Sequence, residues 1–509
     1  MSKMYVFAIG GTGTRVLKSL VMLLAAGLPS DVDEIVPMII DTDINNGDLE
    51  RFRRIHNDYE RIHSACYQNM SSSMFKDRFF RTKISKPKEI SISGTSFGTL
   101  GDMIDYNGLN ASGHKETKLL IDLLFDKDVM KMKLEKGFMG NPNVGSIVLK
   151  HVINSQGFRD FTQDFRQGDR IFIINSIFGG TGAAGFPLLL KLFRDNQSTI
   201  NNIGLINNSI IGAVTVLPYF EVDVTKFQSG ESAINSDTFI TKTKAALSYY
   251  DRHVGHLINA LFYIGDTQRS NFENFDGGPS QKNPSNFIEF ASALAILHFA
   301  NFEKEAKEAT QLSFPSQYFE FGIDRDLDLF NLNHLKKTNA HLMKQLVAFK
   351  YLSVYLSNFL KAAIDNKKLA WRNELGIPDS YDKNQFVKHL KSFCNVHFFN
   401  YLMELSWEKQ GRKFAPFNLY LDATVQDNNE EIKDPPILDL NNDKLFSLVN
   451  EIPARRKDSL LKKDSIKFDQ IISDVAVGAK EDDYSTTDLK FLDVLSRAMY
   501  QVFDERFKF

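Results

Sequence analysis

Apolar and polar positions follow two different rhythms along this chain. Met4-Tyr5-Val6-Phe7-Ala8-Ile9 is a short, continuous apolar run ending in glycines, and a helix-like segment over 14–26 follows it. A second run at 35–40 ends in Asp41-Thr42-Asp43, so strand, helix and strand form a βαβ unit with a parallel sheet. The pattern returns at 169–176, a buried-strand run that leads into Gly179-Gly180-Thr181-Gly182 and an apolar helix to about 193. Strands are expected at 210–216, before Pro218, and at 260–264, before Gly265-Asp266, with a helix over 237–250 between them.

Residues 286–306 form a long helix pattern whose apolar face is too broad for a surface, which predicts a central, mostly buried helix. The stretch 47–141 is polar, mixed in charge and weakly periodic, and reads as an elaboration on the sheet. Beyond about 324 the rhythm turns helical. Long amphipathic helices are expected over 334–363 and 384–407 and a final helix over 487–506, with 418–439 irregular around Pro435-Pro436. The fold class is therefore α/β: a parallel-sheet, Rossmann-like domain over 1–325, then a mainly helical region over 326–509.

Composition narrows the function. With 43% hydrophobic and 24% charged residues, the 509-residue chain is globular, long enough for two to three domains or for one with an appendage. Lys and Arg number 61 against 63 Asp and Glu, so no global field draws nucleic acid or an anionic membrane. Cys66 and Cys394 stand far apart without ligand spacing, which argues against a disulfide scaffold and a zinc site. The apolar run at 16–28 contains Lys18 and is too short to span a bilayer, and it lacks a cleavage pattern. A cytoplasmic protein with no membrane span is expected.

Two glycine loops carry the candidate chemistry. A turn of small residues between a parallel strand and a helix lets backbone N–H groups approach a phosphate, and the helix N-terminus adds partial positive charge. Gly10-Gly11-Thr12-Gly13 alone suits a tight turn or a dinucleotide site. The third glycine of the dinucleotide fingerprint would fall at Val16, and no Lys-Ser or Lys-Thr follows either loop. Phosphates would then be held by backbone and hydroxyls.

The segment Ile177-Phe178-Gly179-Gly180-Thr181-Gly182-Ala183-Ala184-Gly185 resembles the Gly-Gly-Gly-Thr-Gly-(Ser/Thr)-Gly signature of the tubulin/FtsZ superfamily, with Phe178 in place of the first glycine. The resemblance extends over about 1–325. It implies that Gly10, Gly11, Thr12 and Gly13 form the first phosphate loop, that Asp41 and Asp43 sit on the acidic turn after the second strand, and that 140–145 is the γ-phosphate loop. By the same resemblance Gly179, Gly180, Thr181 and Gly182 form the signature loop, Glu221 reaches the ribose, Phe287 stacks on the base and Asp266 pairs with guanine. A carboxylate can accept from both guanine N1–H and the 2-amino group. Thr14 or Arg15 stands where the family has its other guanine-contacting Asn.

What the resemblance implies is GTP or GDP as ligand, with Mg²⁺ carried by phosphates and water, in a self-assembling or partner-activated GTPase of a cytoskeletal or phage-defence setting. Each residue also has a plain reading: Asp41 and Asp43 as cap and turn, Asp266 as a turn residue, Phe287 as core. The family's acidic Asn-x-Asp-x-x-Asp loop has no counterpart, only Glu303, Glu305, Glu308, Asp324 and Asp326. A nicotinamide-dependent oxidoreductase using the first loop alone and a non-hydrolysing nucleotide-bound scaffold remain as alternatives. The helices after 326 are expected to pack on the nucleotide domain or to meet a protein partner or a second copy.

Overall fold

The computed structural model describes residues 2–68, 77–90, 98–110, 113–138, 140–195, 200–223, 239–266, 270–273, 278–302, 316–323, 339–406, 467–480 and 483–508, with residues 75, 92, 440, 445, 455 and 456. Pro435-Pro436, Glu303, Glu305, Glu308, Asp324 and Asp326 lie outside them.

The first apolar runs form β1, Lys3–Ile9, and β2, Glu34–Ile40. Two short strands, β3 (Lys83–Ile84) and β4 (Lys88–Glu89), pair with β2. Next come β5 (Arg170–Ser176), β6 (Ile211–Val216), β7 (Phe220–Asp223), β8 (Ala260–Asp266), β9 (Ser270–Glu273) and β10 (Gln317–Ile323). β7 and β9 pair with each other; the rest form one sheet in the order β10-β8-β6-β5-β1-β2-β3, with every ladder parallel. Such a sheet is covered on both faces, which is why β1, β2 and β5 read as unbroken apolar runs. Pro37 explains the split edge. Ile35 and Ile39 offer their carbonyls to Ser85 and Ile90, so the intervening Pro37, which has no N–H, faces the gap between β3 and β4.

From β1 the chain runs outward through β2 to β3, then returns to β5 beside β1 and runs the other way. The reversal point lies between β1 and β5, the place where doubly wound sheets bind ligands beyond their strand carboxyl ends. The helices named in the argument are α1 (Gly10–Ala25), α2 (Gly47–Tyr67), α3 (Pro142–Val148), α4 (Gln156–Asp164), α5 (Gly180–Phe193), α6 (Phe239–His253) and α7 (Phe287–Ala300). Those of the C-terminal region are α8 (Asn339–Asn358), α9 (Gln385–Lys391), α10 (Phe399–Ser406) and α11 (Thr487–Arg506).

Alternation along β1 sorts the helices onto two faces. Tyr5 and Phe7 meet Phe161 of α4, and Phe7 meets Phe193 of α5, with ring centroids 4.9 to 5.3 Å apart. Ala8 points the other way, against Gly13 of α1. On that second face Phe172 of β5 meets Phe299 of α7 at 5.2 Å, in a space that Gly212 leaves open.

Several expectations are corrected. The stretch from 47 is a 21-residue helix packed beside α1, and not wholly an elaboration. Its inward stripe, Leu49, Phe52, Ile55, Tyr59 and Ile62, is masked in the sequence by the charged outward face. The buried helix α7 ends at Ala300, capped by Asn301, and not at 306. The helix expected over 334–363 breaks at Phe359, and the one over 384–407 contains a π-helical turn at Ser392–Phe398. β10, an aromatic strand with Glu320 inside it, was not foreseen.

The C-terminal helices pack on α2. Phe79 and Phe80, just after α2, meet Phe349 of α8, Phe393 and Tyr500 of α11 at 4.9 to 5.7 Å. Asp58 of α2 accepts from Ser392 (2.6 Å) and pairs with His389 (2.8 Å) and His397 (3.2 Å). Among the described residues α9, the π-helical turn and α11 thus pack on α2, while α8 packs on α11 and the π-helical turn. No described helix is long and apolar enough to cross a membrane.

Candidate functional site

The two glycine loops meet at the reversal point. β1 ends at Ile9 and α1 begins at Gly10, whose φ of +70° is open to glycine and strained for other residues. β5 ends at Ser176 and α5 begins at Gly180, with Gly179 as N-cap. A Cβ placed on Gly10 would lie 3.5 Å from the Cβ of Thr181, so the loops touch. Neither N-cap, Ile9 or Gly179, offers a side-chain hydrogen bond, and neither first turn carries an acidic residue. The N–H groups that open these helices therefore have no side-chain cap, in a setting of partial positive charge. Nearby helices differ: Asn46, Asn141 and Asn286 cap α2, α3 and α7.

Close packing holds the helices to their strands. A Cβ on Gly13 would stand 2.7 Å from the Ala8 carbonyl carbon, and one on Gly182 would stand 2.7 Å from the Ser176 backbone. Phe178, just before the second glycine loop, is buried in an aromatic cluster with Phe239 (4.9 Å), Phe220 (5.4 Å) and Tyr219 (6.2 Å).

The segment over 140–145 lies against the first turn of α5. A Cβ on Gly180 would come within 3.1 Å of the Gly140 and Asn141 nitrogens, and one on Gly145 within 2.8 Å of the Ala184 Cβ. Lys242, in the first turn of α6, donates from Nζ to the Gly140 carbonyl at 2.9 Å. Burial lowers its pKa.

After β2, the Asp43 N–H bonds Asp41 Oδ1 at 3.1 Å, and Asp43 Oδ2 accepts from Gly278 N at 2.7 Å. Burial pushes the Asp41 carboxyl up to about 7; the backbone donors of Asp43 and Thr42 pull down and the Asp43 charge pushes up. The hydroxyl of Thr42 is buried with no hydrogen-bond partner among the described residues, 3.9 Å from where a Gly137 Cβ would stand.

Behind the first loop, charge is buried and paired. Arg15 donates from Nε to Glu289 (2.6 Å), from Nη1 to Asp48 (3.2 Å), and from Nη2 to Tyr219 Oη (2.9 Å) and Thr12 Oγ1 (3.2 Å). Tyr219 in turn donates to Glu289 at 2.7 Å. Burial opposes the guanidinium charge, but Tyr219, Glu289 and Asp48 outweigh it and raise the Arg15 pKa. One turn on, Lys18 faces Glu404 of α10 at 3.6 Å; Glu404 also pairs with Arg51 and accepts from Ser285 N at 2.8 Å. Despite burial, Arg51 and Lys18 lower the Glu404 pKa to about 2.

The other expected site residues scatter. Asp266 closes β8, three strand spacings or roughly 14 Å from β1 across the sheet. Glu221 is exposed on β7. The Phe287 ring, 4% exposed, packs with Phe290 (5.6 Å) and Phe321 (6.1 Å). Sequence reasoning missed Lys242, Glu289 and Glu404. Only Glu289 left a signal, since Asn286-x-x-Glu289 is a capping-box spacing. Among the described residues no group of His, Cys, Asp and Glu is arranged to hold a metal ion.

The chain matches no protein-family model and no curated protein. Among solved structures it is similar to CetZ2 from Haloferax volcanii, a GTPγS-bound protofilament, at 13% identity and a TM-score of 0.27, covering 58% of each chain. It is also similar to CetZ from Methanosaeta thermophila at 13% identity and a TM-score of 0.23, covering 59% of this chain and 54% of that one. The chain thus spans just over half the length of each. Likeness at this level assigns no residue, and the site rests on its own geometry: a doubly wound α/β sheet with two glycine-loop helices opening side by side at its reversal point.

Proposed function

We propose that this chain binds a guanine nucleotide by its phosphates, held on the first turns of α1 and α5. The observation that supports this most is the pair of touching helix N-termini, both without side-chain caps and without acidic residues. Backbone N–H groups from Gly10 to Gly13 and Gly179 to Gly182 would hold the phosphates, with the Gly140 turn as third wall. The buried, unpartnered Thr42 hydroxyl and the raised Asp41 carboxyl fit a cation beside the phosphates. Mg²⁺, when bound, offsets phosphate charge and orders water. Asp266 is our candidate for reading the guanine edge and Glu221 for the ribose; Phe287 reaches a base only if its buried ring turns outward.

Hydrolysis needs a positioned water as well as a cradle. The first turns of α1 and α5 supply no carboxylate, so we propose slow turnover in the isolated chain, rising when a second copy or a partner completes the site. Thermal shifts with GTP, GDP, ATP and NAD test the reading, and stabilisation by NAD alone overturns it. Thr181→Arg is expected to abolish the guanine-nucleotide shift without lowering the melting point of the free protein. Rapid turnover independent of protein concentration would contradict the assembly dependence.

A further inference from the structure

We propose that Lys242 is the residue that tells a nucleoside triphosphate from a diphosphate, its ammonium leaving the Gly140 carbonyl to bind the terminal phosphate. The inference rests on the phosphate-cradle reading above. Three observations place it. Lys242 Nζ lies 2.9 Å from the Gly140 carbonyl oxygen, and the Gly140 nitrogen lies 3.1 Å from where a Gly180 Cβ would stand. The ammonium and the open N-terminus of α5 thus meet the same residue, Gly140. Its hydrogen bonding is also unfilled: an ammonium has three donors, and among the described residues this half-buried one meets a single neutral carbonyl and no carboxylate. A partly desolvated cation without a counter-ion is costly, and an anion arriving beside it removes that cost. Lastly, the cations that α1 places behind its loop are spoken for, Lys18 by Glu404 and Arg15 by four partners. Arg15 is engaged by Glu289, Asp48, Tyr219 and Thr12, while among the described residues Lys242 has only a carbonyl to give up.

The position matters as much as the charge. Lys242 bonds Gly140, which precedes α3 and packs against the first turn of α5, so it adds to whichever phosphate lies nearest Gly140. The resemblance gives that place to the γ-phosphate, and a diphosphate would leave Lys242 on its carbonyl.

Titration calorimetry with GDP and with GTPγS, which resists hydrolysis, tests this on the full chain and on Lys242→Gln and Lys242→Arg. Gln keeps an N–H donor for Gly140 but loses the charge; Arg keeps the charge. The expected result is a roughly 10- to 100-fold loss of GTPγS affinity in Lys242→Gln, the range of one charge-assisted hydrogen bond. GDP affinity is expected to change less than about 3-fold, and Lys242→Arg to recover part of the loss. Equal weakening of both ligands would mean that Lys242 only shapes the Gly140 turn, and unchanged GTPγS affinity would mean that it does not meet the phosphate; either result overturns the proposal and leaves the cradle standing. If the wild-type chain binds neither ligand, the cradle reading fails first and this proposal with it. Melting points of the free proteins, expected to agree among the three, separate these outcomes from misfolding.

Discussion

Helix α1 serves two regions with opposite designs. Its first turn, facing the reversal point, is backbone and small residues, with nothing charged on it and no cap. Its next turns, facing α2, α7 and α10, bury Arg15 and Lys18 among Asp48, Glu289 and Glu404. At the first region the opening N–H groups have no side-chain cap. At the second the polar groups are completed within the chain, and the same charges tie α1 to the C-terminal helices. An open N-terminus is tolerable where water or an anion reaches it, whereas a buried charge must be matched on the spot.

The largest expected effect lies in the closed region. Arg15→Met leaves Glu289 and Asp48 buried without their cation, and removing one partner of a buried pair is worth about 3–5 kcal/mol. Urea unfolding is expected to show that loss, and a shift within about 0.5 kcal/mol would mean that the carboxylates are solvated or protonated at little cost. If the two regions are independent in kind, Thr181→Arg moves binding and not stability, while Arg15→Met moves stability first.

Glycine scanning sharpens the border between them. Gly13→Ala places a methyl 2.7 Å from the Ala8 backbone, where neither neighbour can give way easily. Overpacking of this kind costs about 1–3 kcal/mol. Gly11→Ala meets only the Arg15 Nη1 at 3.4 Å, an ordinary contact. It is expected to leave the melting point unchanged or raise stability by about 0.5–1 kcal/mol through helix propensity. Equal destabilisation by both changes would show that the loop as a whole, and not the Gly13 contact, fixes α1 to β1.

The sheet and its loops were legible because their signals are local. β1, β2, β5, β6 and β8 are apolar runs that end at glycine, proline or acidic turns, and the end of α11 fell where the pattern put it. What stayed hidden depends on tertiary context. The inward stripe of α2 is diluted by outward charges, and β10 carries Glu320 within an aromatic run. The site divided along the same line. Contiguous glycines marked the two loops that the fold brings together, but nothing in sequence brings Lys242 to Gly140 across 102 positions or Glu404 to Lys18. Phe287, expected either as base platform or as core, has its ring packed on Phe290 and Phe321, as the core reading has it.

The smallest expected effect concerns Asp41, which belongs to neither design cleanly. Its carboxyl is buried enough to be pushed up to about 7, yet it has only backbone donors and no cation bonded to it among the described residues. A carboxyl whose folded pKa exceeds its unfolded value of about 3.9 binds its proton more tightly in the native state. Its contribution is therefore fully present below about pH 4 and is lost as pH rises toward 7, the reverse of a salt-bridged Asp. Asp41→Asn removes that titration. Relative to wild type, the variant is expected to gain about 1 kcal/mol between pH 5 and pH 7, less than the pKa alone suggests because Asp41 keeps some contact with water. Urea midpoints at the two pH values read the difference directly. A parallel pH response in both proteins would mean that Asp41 ionises normally, and would remove it from the groups that can answer a cation at the cradle. A difference that vanishes when Mg²⁺ and nucleotide are added together would instead tie the strained carboxyl to the open region, because a cation nearby favours the ionised form that the folded chain alone disfavours.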